Sequence, residues 1–329
     1  MLSILHQQVI KLVTSFYVLK YRKILIALSG GQDSLCLVKI LKDLQPYYNF
    51  SIYGVHFNHH WRRDSNQNMA LLLQLLIYWN VESYIYQFPR VLLNELESRQ
   101  WRYKVLYFLL IKKHYQTIMT AHTATDQVEV FFLNLLRGSS PESLTSLVFQ
   151  NQLFLNIFIN RPLLFCNRKD ISWFCRKFFL PVWSDFTNFN YITKRNRIRE
   201  EMIPYMMNFF NLKIERHTIH LMDHLYYDEE YLRYISLYFY YKFRHKNIAG
   251  IDRVLLSMLH HSVQLRVLKL LLKKNLNISI NKRILNILCD RNTAETCVTL
   301  NNCKSRYFCQ ILLYVNKQWI YFLYNYSIA

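Results

Sequence analysis

Ile24-Leu25-Ile26-Ala27-Leu28-Ser29-Gly30-Gly31-Gln32-Asp33-Ser34 is the stretch that decides the fold. Five apolar residues predict a short buried strand, and a polar turn with paired glycines follows at once. Leu35, Leu37, Val38, Ile40 and Leu41 then take up helical spacing. In a strand–turn–helix of this kind, backbone N–H groups at the helix start face a concave loop and can hold phosphate. Only 5 of the 329 residues are glycine, so a pair of them here implies a sharp bend or a close approach to a ligand. A plain Gly-Gly turn would explain the bend. It would not explain Ser29, Asp33 and Ser34, three oxygen-bearing side chains gathered around it.

Strand and helix patterns alternate outward from this loop. Residues 50–57 read as a second strand, 65–79 as a helix, 84–88 as a third strand and 95–114 as a helix. Residues 116–120 read as a fourth strand and 125–136 as another helix. That alternation predicts an α/β domain, a parallel sheet covered by helices on both faces. Ligands in such sheets bind beyond the strand C-terminal ends, where Ser29–Ser34, Asn58–His60 and Ala121–Asp126 all fall. From residue 203 to about 291 the pattern is helical, and residues 297–324 alternate as strands do. The expected domains are therefore 1–205, a helical domain at 206–295, and a short strand-rich segment at 296–329. Met1 to Val18 carries an apolar face (Leu5, Val9, Leu12, Val13) that fits a helix packed on the first domain and leaves little room for a removable address peptide.

Composition narrows the class. With 52% hydrophobic residues the chain is not disordered, and no apolar run is long enough for a membrane helix. The excess of 41 Lys and Arg over 21 Asp and Glu gives a formal charge of +20. Scattered basic residues favour nucleic acid over a membrane surface, which would want a continuous basic amphipathic helix. Abundant Phe, Tyr, Ile, Asn and Lys also suit an AT-rich genome, which discounts the charge without cancelling it. The seven cysteines form no Cys-x-x-Cys pair and are expected to be reduced core thiols. His56, His59 and His60 favour nucleotide or RNA contact over zinc, because adjacent histidines do not share a face. Aromatic runs such as Tyr226-Tyr227 and Tyr238–Tyr241 read as core with an option on base stacking.

Charged side chains cluster after the third and fourth strands. Glu95, Arg99 and Arg102 share one helical face, where a solvated Glu95–Arg99 pair and arginines turned to phosphate are equally good readings. His122 and Asp126, four apart, share a face at a helix entrance. With Asp33 opposite, Asp126 could hold Mg²⁺; as a plain helix cap it would need no ligand.

Ser29-Gly30-Gly31-Gln32-Asp33-Ser34 resembles the PP-loop of ATP pyrophosphatases, which split ATP to AMP and pyrophosphate, and it lacks the Gly-Lys-Ser/Thr of a Walker A loop. The resemblance extends to the tRNA(Ile)-lysidine synthase family. Glu95, Arg99, Arg102 and Tyr103 match its Glu-x-x-x-Arg-x-x-Arg-Tyr helix. His122, Asp126, Gln127 and Glu129 match its Ala-His-His-x-Asp-Asp-Gln-x-Glu-Thr block. Leu136–Ser139, Arg161–Leu164, Trp183–Asn188, Arg195–Arg199 and Pro204 follow in family order, so the likeness covers about residues 20 to 205. Departures are Thr123 for the second His, Thr125 for the first Asp, Val130 for Thr, Ser140 and Ser143 for Gly, and His60 for Gly. A metal ligand lost at Thr125 would weaken the site. His122 and Asp126 survive, so activity is expected to persist.

The resemblance implies an adenine-nucleotide α-hydrolase-like fold and a carbon–nitrogen ligase. ATP adenylates the carbonyl oxygen at carbon 2 of the wobble cytidine in a CAU-anticodon tRNA(Ile), and free L-lysine then displaces AMP, leaving lysidine. Ser29, Gly30, Gly31, Gln32, Asp33 and Ser34 would hold ATP, with Asp33 and Asp126 on Mg²⁺. Arg99, His122 and Arg199 would stand near the adenylate or the lysine. The helical domain would contact tRNA, with room for a homodimer and no membrane partner. A plastid stroma is favoured over a bacterial cytoplasm by the shortened C-terminus. Two rivals remain: a cytidine thiolase, which would want Cys-x-x-Cys pairs, and a decayed RNA-binding homologue without catalysis.

Overall fold

The computed structural model describes residues 2–16, 18, 23–58, 64–88, 95–154, 157–183, 193–276, 285, 288, 296–301 and 309–326. It divides into two compact units, Met1–Asp223 and His224–Ala329.

The first unit begins with α1 (Ile4–Ser15), which buries Leu5, Val9 and Val13, and continues with β1 (Lys23–Leu28) and α2 (Gln32–Leu44). There follow β2 (Ser51–Asn58), α3 (Ser65–Tyr78), β3 (Glu82–Gln87), α4 (Glu95–Lys113), β4 (Thr117–Met119) and α5 (Ala124–Leu136). Each of these elements falls within a few residues of its sequence expectation. The short α6 (Pro141–Leu144) leads to two strands that periodicity does not suggest, β5 (Gln150–Phe154) and β6 (Ile157–Asn160). Then come α7 (Arg168–Lys177), α8 (Lys194–Arg197), a π-helical turn at Ile198–Met202, α9 (Ile203–Phe209) and the long α10 (Ile214–Phe243), whose residues from His224 onward belong to the second unit.

The sheet order is β3-β2-β1-β4-β6-β5, parallel throughout except for β5, which runs antiparallel at the edge. Successive residues of β1 point to opposite faces, as strand geometry requires. Ile24, Ile26 and Leu28 enter a core shared with α1, α2, α3 and α7, whereas Leu25 enters a second core with Leu106, Leu109 and Leu110 of α4. Both faces are thus covered. β1 lies centrally, so the loop that follows it opens at the C-terminal edge, beside the ends of β2 and β4.

In the second unit, β7 (Gly250–Asp252), α11 (Arg253–Ser257) and α12 (His261–Leu276) precede β8 (Thr296–Asn301), β9 (Cys309–Val315) and β10 (Trp319–Tyr326). Its sheet is antiparallel, in the order β7-β10-β9-β8. The aromatic runs split between core and surface: Tyr240 and Phe243 are buried, while Tyr227, Tyr231, Tyr234, Tyr238 and Tyr241 are 54–70% exposed. Those five recur at alternating steps of four and three along α10, which places them on one stripe.

Candidate active site

Loop geometry bears directly on nucleotide binding. Gly30 has φ +80°, and a Cβ there would meet Oδ1 of Asn68 at 2.8 Å, so any side chain would be both strained and crowded. Gly31 N-caps α2 without a side-chain hydrogen bond, which leaves the first-turn N–H groups free to face a ligand. Ser29 and Ser34 brace the bend: Ser29 Oγ donates to Ser34 Oγ at 3.2 Å and Ser34 Oγ to the Gly31 carbonyl at 2.8 Å. Behind the loop, Ser172 of α7 donates to Gln32 Oε1 at 3.2 Å. At the end of β1, the His56 ring bonds the Leu28 carbonyl through Nδ1 at 2.9 Å, and burial lowers its pKa. His56 therefore pins the strand end as a neutral donor. His59 and His60 lie outside the described residues, as do Ser184–Asn188 and the side chain of Glu95.

Asp33 sits in the first turn of α2 with one buried oxygen, Oδ1, that has no partner. Burial, and then the neighbouring Asp126, push its carboxyl up to about 6; Arg168 and Arg199 oppose the rise, and Glu129 adds to it. Three carboxylates therefore converge here from the loop and α5.

The α5 entrance binds its own acid. Thr123 N-caps the helix and donates to Asp126 Oδ2 from its backbone N–H at 2.9 Å and from its hydroxyl at 3.0 Å. Threonine suits this cap. Asp126 Oδ1 accepts from Arg195 at 2.7 Å and from Arg199 at 3.3 Å. One turn on, Glu129, with a fully buried side chain, accepts from Arg195 Nε at 2.7 Å and from Arg199 Nε. Acids three apart on α5 thus face arginines four apart on α8 and the π turn, a four-membered box. Burial pulls the Asp126 carboxyl upward, but Arg195, the Thr123 N–H and Arg199 outweigh it and hold it below the usual range. So Asp126 does cap the helix, and it does a second job as well.

His122 bonds Thr120 through Nδ1 at 2.9 Å. Burial drives its pKa down to about 4; Asp126 works against this, and Arg161, Arg195 and Arg102 work with it. A neutral imidazole within reach of the Asp126 carboxylate would not repel an incoming amine. The structure gathers Asp33, His122, Asp126 and Arg199. It sets Arg99 apart on α4, over the Tyr103 ring at 5.7 Å, where its charge acts on Arg161.

Three participants carry weaker sequence signals. Arg195 and Glu129 both fall in segments that match the family pattern, but the sequence by itself gives neither of them a role. Glu215, in the first turn of α10, accepts from the Thr125 hydroxyl; burial raises its pKa, the Thr125 bond lowers it and Glu129 raises it again. At the position where the family block has aspartate, Thr125 thus engages a carboxylate from a distant segment.

The fit to a divalent cation differs between the two acids. The open, buried Asp33 oxygen, crowded by Asp126, is chemically suited to one. Asp126 already accepts four hydrogen bonds, about the capacity of a carboxylate. Among the described residues, no group of three or more His, Cys, Asp or Glu side chains is arranged to hold a metal.

Comparison with known proteins agrees with the loop. A family described as the PP-loop domain matches residues 1–206. The chloroplastic tRNA(Ile)-lysidine synthase of Gracilaria tenuistipitata var. liui is 40% identical over 287 residues, 86% of this chain and 90% of the relative. The chloroplastic protein of the same name from Pyropia yezoensis is 38% identical over 280 residues, 85% of each chain. The tRNA(Ile)-lysidine synthase of a Nostoc species is 39% identical over 229 residues, 69% of this chain and 67% of the relative. Among solved structures, the U34-tRNA thiolase of Methanococcus maripaludis with its [4Fe-4S] cluster superposes with a TM-score of 0.53 at 15% identity, covering 67% of this chain and 78% of that one. At that identity the likeness concerns the fold alone.

Proposed function

We infer the activity from one premise: this chain belongs to the tRNA(Ile)-lysidine synthase family of PP-loop proteins. It is an ATP-using carbon–nitrogen ligase acting on tRNA(Ile). The observation that carries this reading in the molecule is the braced loop at Ser29–Ser34, its helix start open beside a cluster of three carboxylates.

In the reaction we propose, the carbonyl oxygen at carbon 2 of the wobble cytidine attacks the α-phosphorus of ATP, and pyrophosphate leaves. The ε-amine of free lysine, having lost a proton, then attacks carbon 2 and expels AMP. The first-turn N–H groups of α2 hold the phosphates as charge moves onto the leaving group. Mg²⁺, held by Asp33, would neutralise that charge; Asp126 would share it only by releasing one of its present partners. Arg168 and Arg199 supply fixed positive charge beside the loop. Neutral His122 and the acids of α5 form the side of the site that suits an amine.

The tyrosine stripe on α10 supports tRNA contact by the helical region. Lys242 lies over Tyr238 at 5.6 Å, and Lys274 over Tyr241 at 4.2 Å, so stacking faces and cations coincide. Among the described residues, no helix is long and apolar enough to cross a membrane. The plastid assignment follows the chloroplastic relatives, and the homodimer follows the family resemblance.

ATP–pyrophosphate exchange tests the first step. We expect exchange that requires both CAU-anticodon tRNA and Mg²⁺ and that persists without lysine. A tRNA-binding homologue without catalysis would give none.

A further inference from the structure

Arg161 follows directly on β6 and is 6% exposed. One terminal nitrogen donates to the Val148 carbonyl at 2.7 Å, while Nε is buried with no partner. No carboxylate among the described residues answers its charge: the groups that act on it are the Tyr103 phenol and a second guanidinium, Arg99. Burying a cation without a counter-charge is costly, and a bound anion removes that cost. Asn160 pairs with Met119, so Arg161 lies at the same sheet edge as Thr120 and His122. Arg161 and Asp126 both act on His122, with opposite sign. A cation at the end of β6 and a carboxylate on α5 thus both lie within electrostatic reach of one neutral ring.

We propose that Arg161, with Arg99 and Tyr103 beside it, receives the α-carboxylate of the free lysine substrate and leaves its ε-amine on the carboxylate side of His122. This rests on lysine being the amine donor, as inferred above. A carboxylate matches the paired N–H geometry of a guanidinium. A tRNA phosphate would also carry the required charge, but backbone contacts to nucleic acid come from side chains that reach the surface. A side chain more than nine-tenths buried suits the smaller anion.

Cadaverine, which is lysine without its carboxyl group, tests the assignment in the full reaction with ATP, Mg²⁺ and tRNA. The wild-type protein should prefer lysine by at least about 100-fold in kcat/KM, because a site built for a polar group rejects an analogue that lacks it. Arg161→Gln, checked for folding by thermal melting, should erase most of that preference by raising the lysine KM alone. Arg161→Lys should restore part of it, and the KM for tRNA should stay within about twofold. Cadaverine used as well as lysine by the wild-type protein would overturn the proposal without any variant. So would an equal loss for both amines in Arg161→Gln, or a shift that falls on tRNA. A wild-type protein that adenylates tRNA but never uses lysine would overturn the underlying reading as well, and that result is distinct from the other three.

Discussion

Asp33→Asn should abolish ligation and at the same time stabilise the ligand-free protein. The Asp33 carboxyl is raised from 3.8 to about 6 by burial and by Asp126. Between those values the folded chain keeps a proton that the unfolded chain has lost. Stability from this group is therefore fully present below about pH 4, falls as pH rises through about 6, and above that the buried charge is a standing cost of roughly 2–3 kcal/mol. Asparagine cannot ionise. Melting in EDTA at pH 7.5 should place the variant above wild type, with the gap closing near pH 4. Its ligation rate should fall on the order of 10³-fold, since the carboxylate that would hold Mg²⁺ against the reacting phosphates is lost. Equal melting temperatures at pH 7.5 together with retained activity would refute this account of Asp33.

Glu129→Ala should be the most destabilising single change in the site, by about 3–5 kcal/mol. The carboxylate is fully buried and shared by two guanidiniums, so its loss leaves Arg199 inside with Asp126 as its remaining ion pair among the described residues. Arg195, whose side chain is 40% exposed, can relax toward water, which places the expected value nearer the lower figure. Arg197→Ala is the control. Arg197 pairs with Glu201 at 3.0 Å on the same helical segment, but both side chains are largely exposed, and such pairs contribute about 0–1 kcal/mol. Denaturant unfolding of the two variants should therefore differ severalfold. Similar losses would mean that the box does not hold α8 and its π turn against α5.

The parts of this molecule written locally were legible in the sequence. β1, the loop and α2 announce themselves because Gly30 must take a positive φ and because the apolar period changes from strand-like to helical within a few residues. β2, α3, α4 and α5 follow from the same periodicity. β5 and β6 do not, because they carry buried polar groups: Asn160 donates to Thr117 at 2.6 Å and Gln150 to Asn160 at 3.1 Å, and a stretch such as Gln150-Asn151-Gln152 reads as loop. The acid–arginine box was legible by halves. The spacing of His122 and Asp126 marks α5, and Arg199, Arg195 and Glu129 all match the family pattern, which singles out only Arg199. Arg195 and Glu129 gain their roles only from each other, 66 residues apart. Thr125 poses the same difficulty, since its partner Glu215 lies on α10 and no spacing rule links the two. Asp126 combines a cap with an ion pair: one oxygen closes the helix while the other holds two arginines.

The central claim is that this chain joins lysine to the wobble cytidine of tRNA(Ile). Nucleoside analysis by mass spectrometry, after incubating the purified protein with ATP, Mg²⁺, lysine and unmodified CAU-anticodon tRNA(Ile), tests it most directly. The account predicts cytidine at the wobble position converted to lysidine, with one AMP formed per modified base, and no product when ATP is omitted. Unchanged cytidine, or a thiolated base in its place, would contradict it.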